Sequence, residues 1–339
     1  HRFLAIVEAS IDHAMTEISP QEPSFPRVKI GASSCLLGRE VRYNGGHKQD
    51  RFLVSSLSQF VDYVPVCPEV AIGLGIPRPP IRLVGDPDLP RAVGTDDPTM
   101  DVTSRLQSFA RETVQSVGDI SGYILKKDSP SCGMERVKVY SEKGGAAQRK
   151  GRGVFARVLM ECMPLLPVEE EGRLNDPVLK ENFLTRVFVY HRWQRLVSEG
   201  LSSRALTAFH SDHKLLLMAH SQAAYQRMGR MLANLADVDL EAVALMYLTE
   251  LMTALARRAT RKRHANTLQH IAGYLKRSID SEDKQELIQN IDAYRRGQIP
   301  LIVPISLFRH YFRCHPDPYM ERQLYLNPHP DELSLRSSI

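Results

Sequence analysis

The chain has 339 residues, 43% of them hydrophobic and 24% charged, which is the composition of a globular protein long enough for two domains. No run of about 18 apolar residues is present, so the sequence predicts no membrane span. The first residues also lack the basic segment and long apolar core of a secretory signal. We therefore expect a cytoplasmic protein.

The positive charge is concentrated in the second half of the chain. Residues 1–172 hold 21 Lys and Arg against 22 Asp and Glu, whereas residues 173–339 hold 23 against 17. Such an excess indicates an acidic partner, although it says nothing about the fold.

The first half has the pattern of an α/β domain. Three apolar runs predict strands, at residues 28–33, 63–67 and 121–126. Apolar residues at helical spacing predict a helix from Thr103 to Val117, between the second and third runs. Strands that alternate with helices are typical of a parallel sheet with Rossmann-like layers. A glycine-rich basic loop at 141–153 and a helix at 154–163 follow.

The second half predicts an all-α domain. Helices are expected at about 177–198, 203–209, 212–235, 238–259, 263–278 and 281–296. Asp212 and Asp237 are the expected N-caps of two of them. The predicted organisation is an N-terminal extension at 1–26, an α/β domain at 27–165, a linker at 166–176 and a helical domain at 177–339.

Five cysteines are present, and three of them stand out. An odd number in a cytoplasmic chain argues against a disulfide framework. Cys35, Cys67 and Cys132 each follow the C-terminal end of a predicted strand, in segments rich in Gly, Pro and Ser. Cys162 and Cys314 lie in ordinary sequence. Because strand-to-helix loops of a parallel sheet converge, the first three thiols are expected to meet around one ligand.

The spacing of these three thiols narrows the kind of ligand. Separations of 32 and 65 residues match no compact zinc motif. Three thiolates suit a cubane iron–sulfur cluster whose fourth iron is left open for substrate, as catalytic zinc keeps an open position. Buried structural thiols, or a zinc site completed by a histidine, remain alternatives.

Several segments, in order, resemble the thiouracil desulfidase family. They are Gly31–Gly38, Val41–Gly45, Val66–Val70, Pro77–Pro80 and Lys127–Gly133, and the resemblance covers about residues 27–163. In the second half, Phe209–Lys214 and Leu217–His220 resemble the YbgA-type helical domain. The fusion of the two resembles the RudS-type desulfidases, which act on 4-thiouridine in transfer RNA.

The resemblance implies a cofactor and a set of roles. Cys35, Cys67 and Cys132 match cluster ligands, which implies a 4Fe–4S cluster with three cysteine ligands and one open iron. Glu69 matches a catalytic residue as general base for water, and Ser129 as the group that positions the water or donates a proton. The residues predicted to bind substrate are Ser33, Ser34, Asn44, Arg78 and the competing serine, Ser131. Without the resemblance, a helix cap is the favoured role of Glu69, and the serines form a turn. Arg78 is either an ordinary loop residue or a fork-like contact to a substrate phosphate.

The implied reaction replaces sulfur by oxygen on the pyrimidine and releases hydrosulfide, with no net electron transfer. Neither flavin nor nicotinamide is therefore expected. In agreement, the sequence contains no GxGxxG after a strand and no P-loop.

The implied partner is transfer RNA that contains 4-thiouridine. Because Lys and Arg neutralise phosphates, the basic residues predicted to contact RNA are Lys150, Arg152, Arg257, Arg258, Arg261, Lys262 and Arg263. A solvated helix end is the alternative for the last five. Tyr190 and Trp193 are expected either to stack on bases or to lie in a helical core. His210, His213 and His220 are expected to pack between helices rather than to bind a metal.

Two other functions remain open. The same chemistry on free thiouracil or a thionucleoside would leave the helical domain to serve oligomerisation. A non-enzymatic iron–sulfur regulator that binds nucleic acid is the second alternative. Glu69 and Ser129 beside a cluster favour an enzyme, because a regulator needs neither.

Overall fold

A computed structural model describes residues 25–143, 145–233, 235 and 239–339. Its strands are β1 (Val28–Ser33), β2 (Val61–Val66), β3 (Ile81–Val84), β4 (Arg91–Gly94), β5 (Tyr123–Leu125), β6 (Val137–Tyr140), β7 (Gln148–Gly151) and β8 (Val168–Glu170). Its helices are α1 (Pro68–Ala71), α2 (Thr103–Ser116), α3 (Val154–Cys162), α4 (Pro177–Gly200), α5 (Ser203–His220), α6 (Gln222–Met231), α7 (Leu240–Ala256), α8 (Arg261–Tyr274), α9 (Ser281–Arg295), α10 (Ile302–Cys314) and α11 (Pro318–Glu321). Nearly all of the predicted extension at 1–26 lies outside the described residues, as does Asp237.

The first sheet is parallel, with the strand order β2-β1-β5-β8. The predicted strands correspond to β1, β2 and β5, and the predicted helices to α2 and α3. The second strand begins two residues earlier than predicted, and the third is the short run of three residues that follows Gly122. The predicted fold class, an α/β domain followed by a helical region, is confirmed.

Helices cover both faces of this sheet. On one face, α2 and α3 pack against β2, β5 and β8, and Phe155 and Leu159 are fully buried there. On the other face, Phe183 and Val187 of α4 pack against Val28 and Ile30 of β1. Helix α4 therefore joins the two halves of the chain, because its other residues contribute to the helical core.

A second, smaller sheet was not predicted. Its order is β4-β3-β6-β7, with β3 and β6 parallel and the two outer pairs antiparallel. Each of these strands has only four residues, too few for an alternating pattern to be recognised. The predicted loop at 141–153 contains the last of them, β7.

The segment predicted as a linker, 166–176, contains β8. Val168 pairs with Tyr123 and Glu170 with Leu125, which makes this segment the outer strand of the parallel sheet. Its side chains are buried despite the run of glutamates, because Glu169 accepts a hydrogen bond from Arg173 Nε at 2.6 Å and Glu170 accepts one from Met134 N at 2.8 Å. Pro164, Pro167 and the acidic run that follows them indicated a linker, and these partners explain the difference.

The helical domain differs from the prediction in where one helix ends and in two helices, α10 and α11, that were not predicted. Helix α5 runs through Asp212, which was predicted to begin a new helix. Its carboxylate lies 3.7 Å from Arg322 instead of capping a helix. The break falls at Ser221, whose hydroxyl accepts from Ala224 N at 3.2 Å and so caps α6. Asp176 caps α4 in the same way, with Pro177 in the first turn.

The aromatic and histidine residues of this domain are mostly core. Trp193 is 5% exposed and stacks on Tyr247 with ring centroids 5.6 Å apart, so it does not present a face to nucleic acid. His213 and His220 are buried and their Nδ1 atoms contact backbone carbonyls. No helix within the described part of the chain is both long and apolar enough to cross a membrane.

Gly31 is the point of closest packing between β1 and β5. The ring of Tyr123 lies over it, and a Cβ at this position would be 2.3 Å from Tyr123 Cδ2. We expect Gly31→Ala to lower the free energy of unfolding by about 1–3 kcal/mol through overpacking, as measured by urea denaturation. The matched control is Gly229→Ala on α6, where a Cβ meets nothing within 4 Å. It should keep or raise stability by up to about 1 kcal/mol. A Gly31→Ala variant as stable as wild type would contradict this packing.

Candidate active site

Three thiols meet at the C-terminal edge of the parallel sheet. Cys35 lies in the turn after β1, Cys67 directly follows β2, and Cys132 lies in the loop after β5. These strands are neighbours, and all three cysteines line one cavity of about 390 Å³, here called the catalytic cavity. Cys162 and Cys314 are exposed and lie elsewhere.

Burial keeps these thiols protonated as long as no metal ion is bound to them. Burial and, to a smaller extent, the neighbouring Cys67 raise the pKa of Cys35 to about 11. Burial also raises the pKa of Cys67 and, more strongly, that of Cys132. Each side chain is therefore a neutral thiol at pH 7, since its pKa lies above that pH. A bound metal ion reverses this preference for the protonated form, because it stabilises the thiolate directly.

The loop that carries Cys132 is held by backbone contacts. A Cβ on Gly153 would lie 2.5 Å from the carbonyl of Ser131, and one on Gly133 would lie 2.8 Å from the Ser129 carbonyl oxygen. Gly153 is therefore required for the close approach of α3 to this loop, and Gly133 for the tight turn within the loop. The loop begins at Asp128, which has a left-handed φ of 60°. These constraints fix the positions of Ser129 and Ser131.

Glu69 is held by Arg78. Arg78 Nε and Nη2 donate to Glu69 Oε2 at 2.9 and 2.7 Å, and Nη1 donates to the carbonyls of Val41 and Gly75. The arginine side chain is 3% exposed and the glutamate side chain 14%. The sequence predicted Arg78 as a substrate ligand. Arg78 lines the catalytic cavity, and its four hydrogen bonds hold the guanidinium against the protein, where it compensates the charge of Glu69.

A chain of hydroxyl groups connects Glu69 to the cavity. Ser131 Oγ donates to Glu69 Oε1 at 2.6 Å and lies 3.0 Å from Ser129 Oγ. A serine hydroxyl has one proton, so with that of Ser131 directed to Glu69 the contact between the serines is donated by Ser129. Ser129 Oγ also accepts from Cys132 N at 3.0 Å. The carboxylate, both hydroxyls and a cysteine ligand position thus form one network.

The other predicted substrate ligands divide into two groups. Ser33 and Ser34 are buried and line the catalytic cavity, and Ser33 Oγ accepts from Lys126 N at 3.0 Å. Asn44 does not line it. Its side chain is exposed and accepts from Gly46 N at 3.2 Å, which stabilises a turn.

Several cavity residues were missed by the sequence analysis. They are cations at the cavity wall: Arg42, Lys48, Lys126 and Lys127. Lys126 Nζ contacts Glu171, and the same carboxylate accepts from Lys127 N at 2.8 Å. Both lysines directly follow β5, so the rule that located the cysteines at strand ends also indicates them.

The basic residues predicted to contact RNA are exposed. Lys150 and Arg152 lie on and just after β7. Arg257 and Arg258 follow the end of α7, whereas Arg261, Lys262 and Arg263 form the first turn of α8. Two members of this first turn bind the protein: Arg263 Nη1 donates to the His220 carbonyl at 3.0 Å, and the Arg261 guanidinium lies 5.2 Å from the ring centroid of Tyr294.

The donor set of the catalytic cavity is thiol-rich and contains no histidine within the described residues. In the same part of the chain, no three His, Cys, Asp or Glu side chains are close enough to hold a single metal ion. Tyr123 adds an unsatisfied donor beside the thiols. Its hydroxyl is buried and has no hydrogen-bond partner among the described residues, and burial raises its pKa well above the usual value. Three thiols around a cavity and an unpaired donor fit a sulfur-containing cluster.

Comparison with known proteins matches the two halves of the chain to two different families. The model of the 2-thiouracil desulfurase family matches residues 30–171, and that of a protein family of unknown function, DUF1722, matches residues 214–330. The uncharacterized protein YbgA of Escherichia coli strain K12 is 35% identical over 159 residues, which are 47% of this chain and 94% of YbgA. The uncharacterized protein YbbK of Bacillus subtilis strain 168 is 33% identical over 153 residues, which are 43% of this chain and 98% of YbbK.

Among solved structures, the 4Fe-4S-dependent thiouracil desulfidase TudS is 29% identical, with a TM-score of 0.36, and the match covers 44% of this chain and 95% of TudS. The assignment to a family follows from the family models and the two relatives, each of which is covered almost completely. This chain belongs to the 2-thiouracil desulfurase family through its α/β domain and to the DUF1722 family through its helical domain.

Proposed function

We propose that this chain is an iron–sulfur-dependent desulfidase that converts 4-thiouridine in transfer RNA to uridine and releases hydrogen sulfide. The observation that carries the proposal is the joining of Glu69, Ser131 and Ser129 into one hydrogen-bonded chain at a cavity lined by three buried thiols. Membership of the 2-thiouracil desulfurase family supports the reaction class.

The residues that would hold a 4Fe–4S cluster are Cys35, Cys67 and Cys132. Three thiolates leave one iron without a protein ligand, and when bound such a cluster supplies a Lewis acid for a soft thiocarbonyl sulfur. The neutral thiols lose their protons on loading, so assembly of the site is coupled to proton release.

Glu69 is placed to act as the general base. Its Oε2 accepts twice from Arg78, and its Oε1 accepts once from Ser131, which leaves an acceptor position on Oε1. A water that attacks C4 of the pyrimidine transfers its proton to this oxygen. Alternatively, the water gives its proton to Ser129 Oγ while the two serine protons each shift one step toward Glu69. The carboxyl group gains one proton by either route.

The same proton completes the reaction. The new C4–O bond forms as water adds, and the C4–S bond breaks as sulfur departs with its electron pair. Sulfur then takes the proton from Glu69, and the freed carboxylate accepts the second proton of the water from the C4 hydroxyl as the carbonyl forms. The products are a carbonyl at C4 and hydrosulfide, and the second proton passes from Glu69 to solvent. Atoms balance without an oxidant or a reductant, so the chemistry needs no flavin or nicotinamide.

The charge of the α7–α8 connection supports RNA as substrate. Residues 257–263 contain five cations, and no carboxylate lies within 4.0 Å of any of them among the described residues. Arg261, Lys262 and Arg263 lie at the N-terminus of α8, where the helix dipole disfavours cations. A bound phosphate would offset both penalties, because helix N-termini and Lys/Arg side chains each attract it.

Cluster loading depends on three cysteines and not on the other two. After anaerobic reconstitution with iron and sulfide, we expect Cys35→Ser, Cys67→Ser and Cys132→Ser to lose bound iron and the visible absorption of a cluster. Cys162→Ser and Cys314→Ser are the matched controls and should bind as much iron as wild type, because both residues are exposed outside the cavity. Equal iron content in all five variants would exclude this site.

Removal of the base should stop the reaction without removing the cluster. We expect Glu69→Gln to lower kcat by about 10²–10⁴-fold, the usual contribution of general acid–base catalysis. Ser131→Ala and Ser129→Ala interrupt the hydroxyl chain and should each lower kcat by a smaller factor. The assay is sulfide release and loss of the near-ultraviolet band of 4-thiouridine. Iron content is the control. A Glu69→Gln variant with full iron and full activity would refute the assigned base.

The preference for transfer RNA over free 4-thiouridine should depend on those cations of residues 257–263 that bind no other part of the protein among the described residues. The double variant Arg258→Gln/Lys262→Gln should reduce transfer RNA turnover relative to turnover of free 4-thiouridine. A plot of the logarithm of the RNA-binding constant against the logarithm of salt concentration should also become less steep, by about 2, because two phosphate contacts are lost. The double variant Lys276→Gln/Arg277→Gln, at exposed positions after α8, is the charge-matched control. If both double variants bind RNA as wild type does, the helical domain does not bind RNA through residues 257–263.

A further inference from the structure

Ser129, Ser131 and Cys132 all lie on the segment that joins β5 to β6. We call its residues 126–136 the β5–β6 connection. No residue of this connection belongs to a helix or a strand, so bonds to other segments have to fix its position. The run of glutamates at the end of β8 supplies such bonds at both ends of the connection, and the reaction proposed above makes no use of them.

Glu171 holds the first end. Its carboxylate contacts Lys126 Nζ and accepts from Lys127 N at 2.8 Å. The side chains of Lys126 and Glu171 are 16% and 11% exposed, so water has little access to the ion pair. Lys126 N also donates to Ser33 Oγ at 3.0 Å, which ties the same end to β1. A hydrogen bond to a charged partner is stronger than a neutral one, and shielding from water strengthens it further.

Glu170 holds the other end. This residue is buried, and its Oε1 accepts from Met134 N at 2.8 Å and lies 3.5 Å from Glu135 N. The side chain of Glu135 is bound as well, because it accepts from Arg173 Nη1 at 2.7 Å. Both ends of the β5–β6 connection are therefore attached to two adjacent residues at the end of β8.

The ends matter because the middle of the connection must reach a different strand. Glu69 lies on α1, which follows β2, so Ser131 has to be brought to it along the edge of the sheet. The middle is bound to the start of α3, where Ala156 N donates to the Ser131 carbonyl at 3.0 Å. A segment that is held only at its middle can pivot there, and a displacement of about 1 Å can lower a rate about 10²-fold. Attachment of both ends prevents such a rotation of the serine hydroxyl groups away from Glu69.

We infer that Glu170 and Glu171 are positioning residues of the reaction, which keep Ser131 and Ser129 at hydrogen-bond distance from Glu69 by holding both ends of the β5–β6 connection. Within the described part of the chain, neither glutamate lines the catalytic cavity, so each acts through the connection and not on the substrate. This inference rests on the proposed function and extends its machinery to the segment that leads into the helical domain.

A double-mutant cycle on the reconstituted full chain tests this role. Glu171→Ala should lower kcat per bound cluster for 4-thiouridine about tenfold, the effect of losing a hydrogen bond to a charged group, while KM changes little. Because Glu171 acts through Ser131, the same change should cause no further loss in the Ser131→Ala variant. Glu171→Gln keeps an acceptor for Lys127 N and should restore part of kcat.

The matched control is Glu161→Ala, at an exposed glutamate on α3, which should keep the kcat of wild type. Glu170→Gln is the second variant for the cycle if Glu171→Ala folds poorly. A kcat per bound cluster equal to that of wild type in the variants of both glutamates would overturn the inference. So would losses that multiply when Glu171→Ala and Ser131→Ala are combined, because the two residues would then act independently.

Amide hydrogen exchange, followed by mass spectrometry, separates this inference from the proposed function because it needs no turnover. In Glu171→Ala, peptides from the β5–β6 connection should exchange about tenfold faster, whereas peptides from α9 should exchange as in wild type. If this result is found but wild type does not consume 4-thiouridine, the hold on the connection is supported and the proposed reaction fails. Unchanged exchange of the connection in both Glu171→Ala and Glu170→Gln would overturn the inference, whatever the activity.

Discussion

The parallel alignment of β2, β1 and β5 is the constraint on which the site depends. Because the three strands point the same way and are neighbours, the segments that follow them meet at one edge of the sheet. Each segment contributes one thiol, and two of them also contribute Glu69 or the two serines. The alignment in turn requires Gly31, since the Tyr123 ring occupies the space of any side chain there. A local packing requirement in the middle of β1 thus determines the geometry of residues at its end.

Much of this arrangement could be predicted from the sequence, for a physical reason. A strand end followed by Ser-Ser-Cys, Cys-Pro or Ser-Pro-Ser-Cys is a local pattern, and the convergence of parallel strand ends needs no knowledge of side-chain contacts. Strand positions were predicted to within a few residues for the same reason. The start of α4 could also be predicted from local sequence, because Asp176-Pro177 is a strong capping pattern.

Contacts distant in sequence could not be predicted. Arg78 was expected to face a substrate, yet it lies nine residues after Glu69 and pairs with it through a turn that has no sequence signature. The bond between Ser131 and Glu69 spans 62 residues. Asp212 misled the prediction of a helix start, because an Asp within a helix and an Asp at its cap look alike until Arg322 is placed beside it. In each case the partner, not the residue, decides the role.

The distribution of charge shows why composition is a weak guide to a binding site. Residues 1–172 are almost neutral in sum, and the excess of cations in the second half directed attention there. In the structure, the wall of the catalytic cavity holds five cations but, among the described residues, only two carboxylates, those of Glu69 and Asp128. Acidic residues elsewhere in the domain cancel this excess in the total. An anionic substrate responds to the local potential of the cavity and not to the net charge, so the electrostatic case for such a substrate is at least as strong in the near-neutral half as in the basic one.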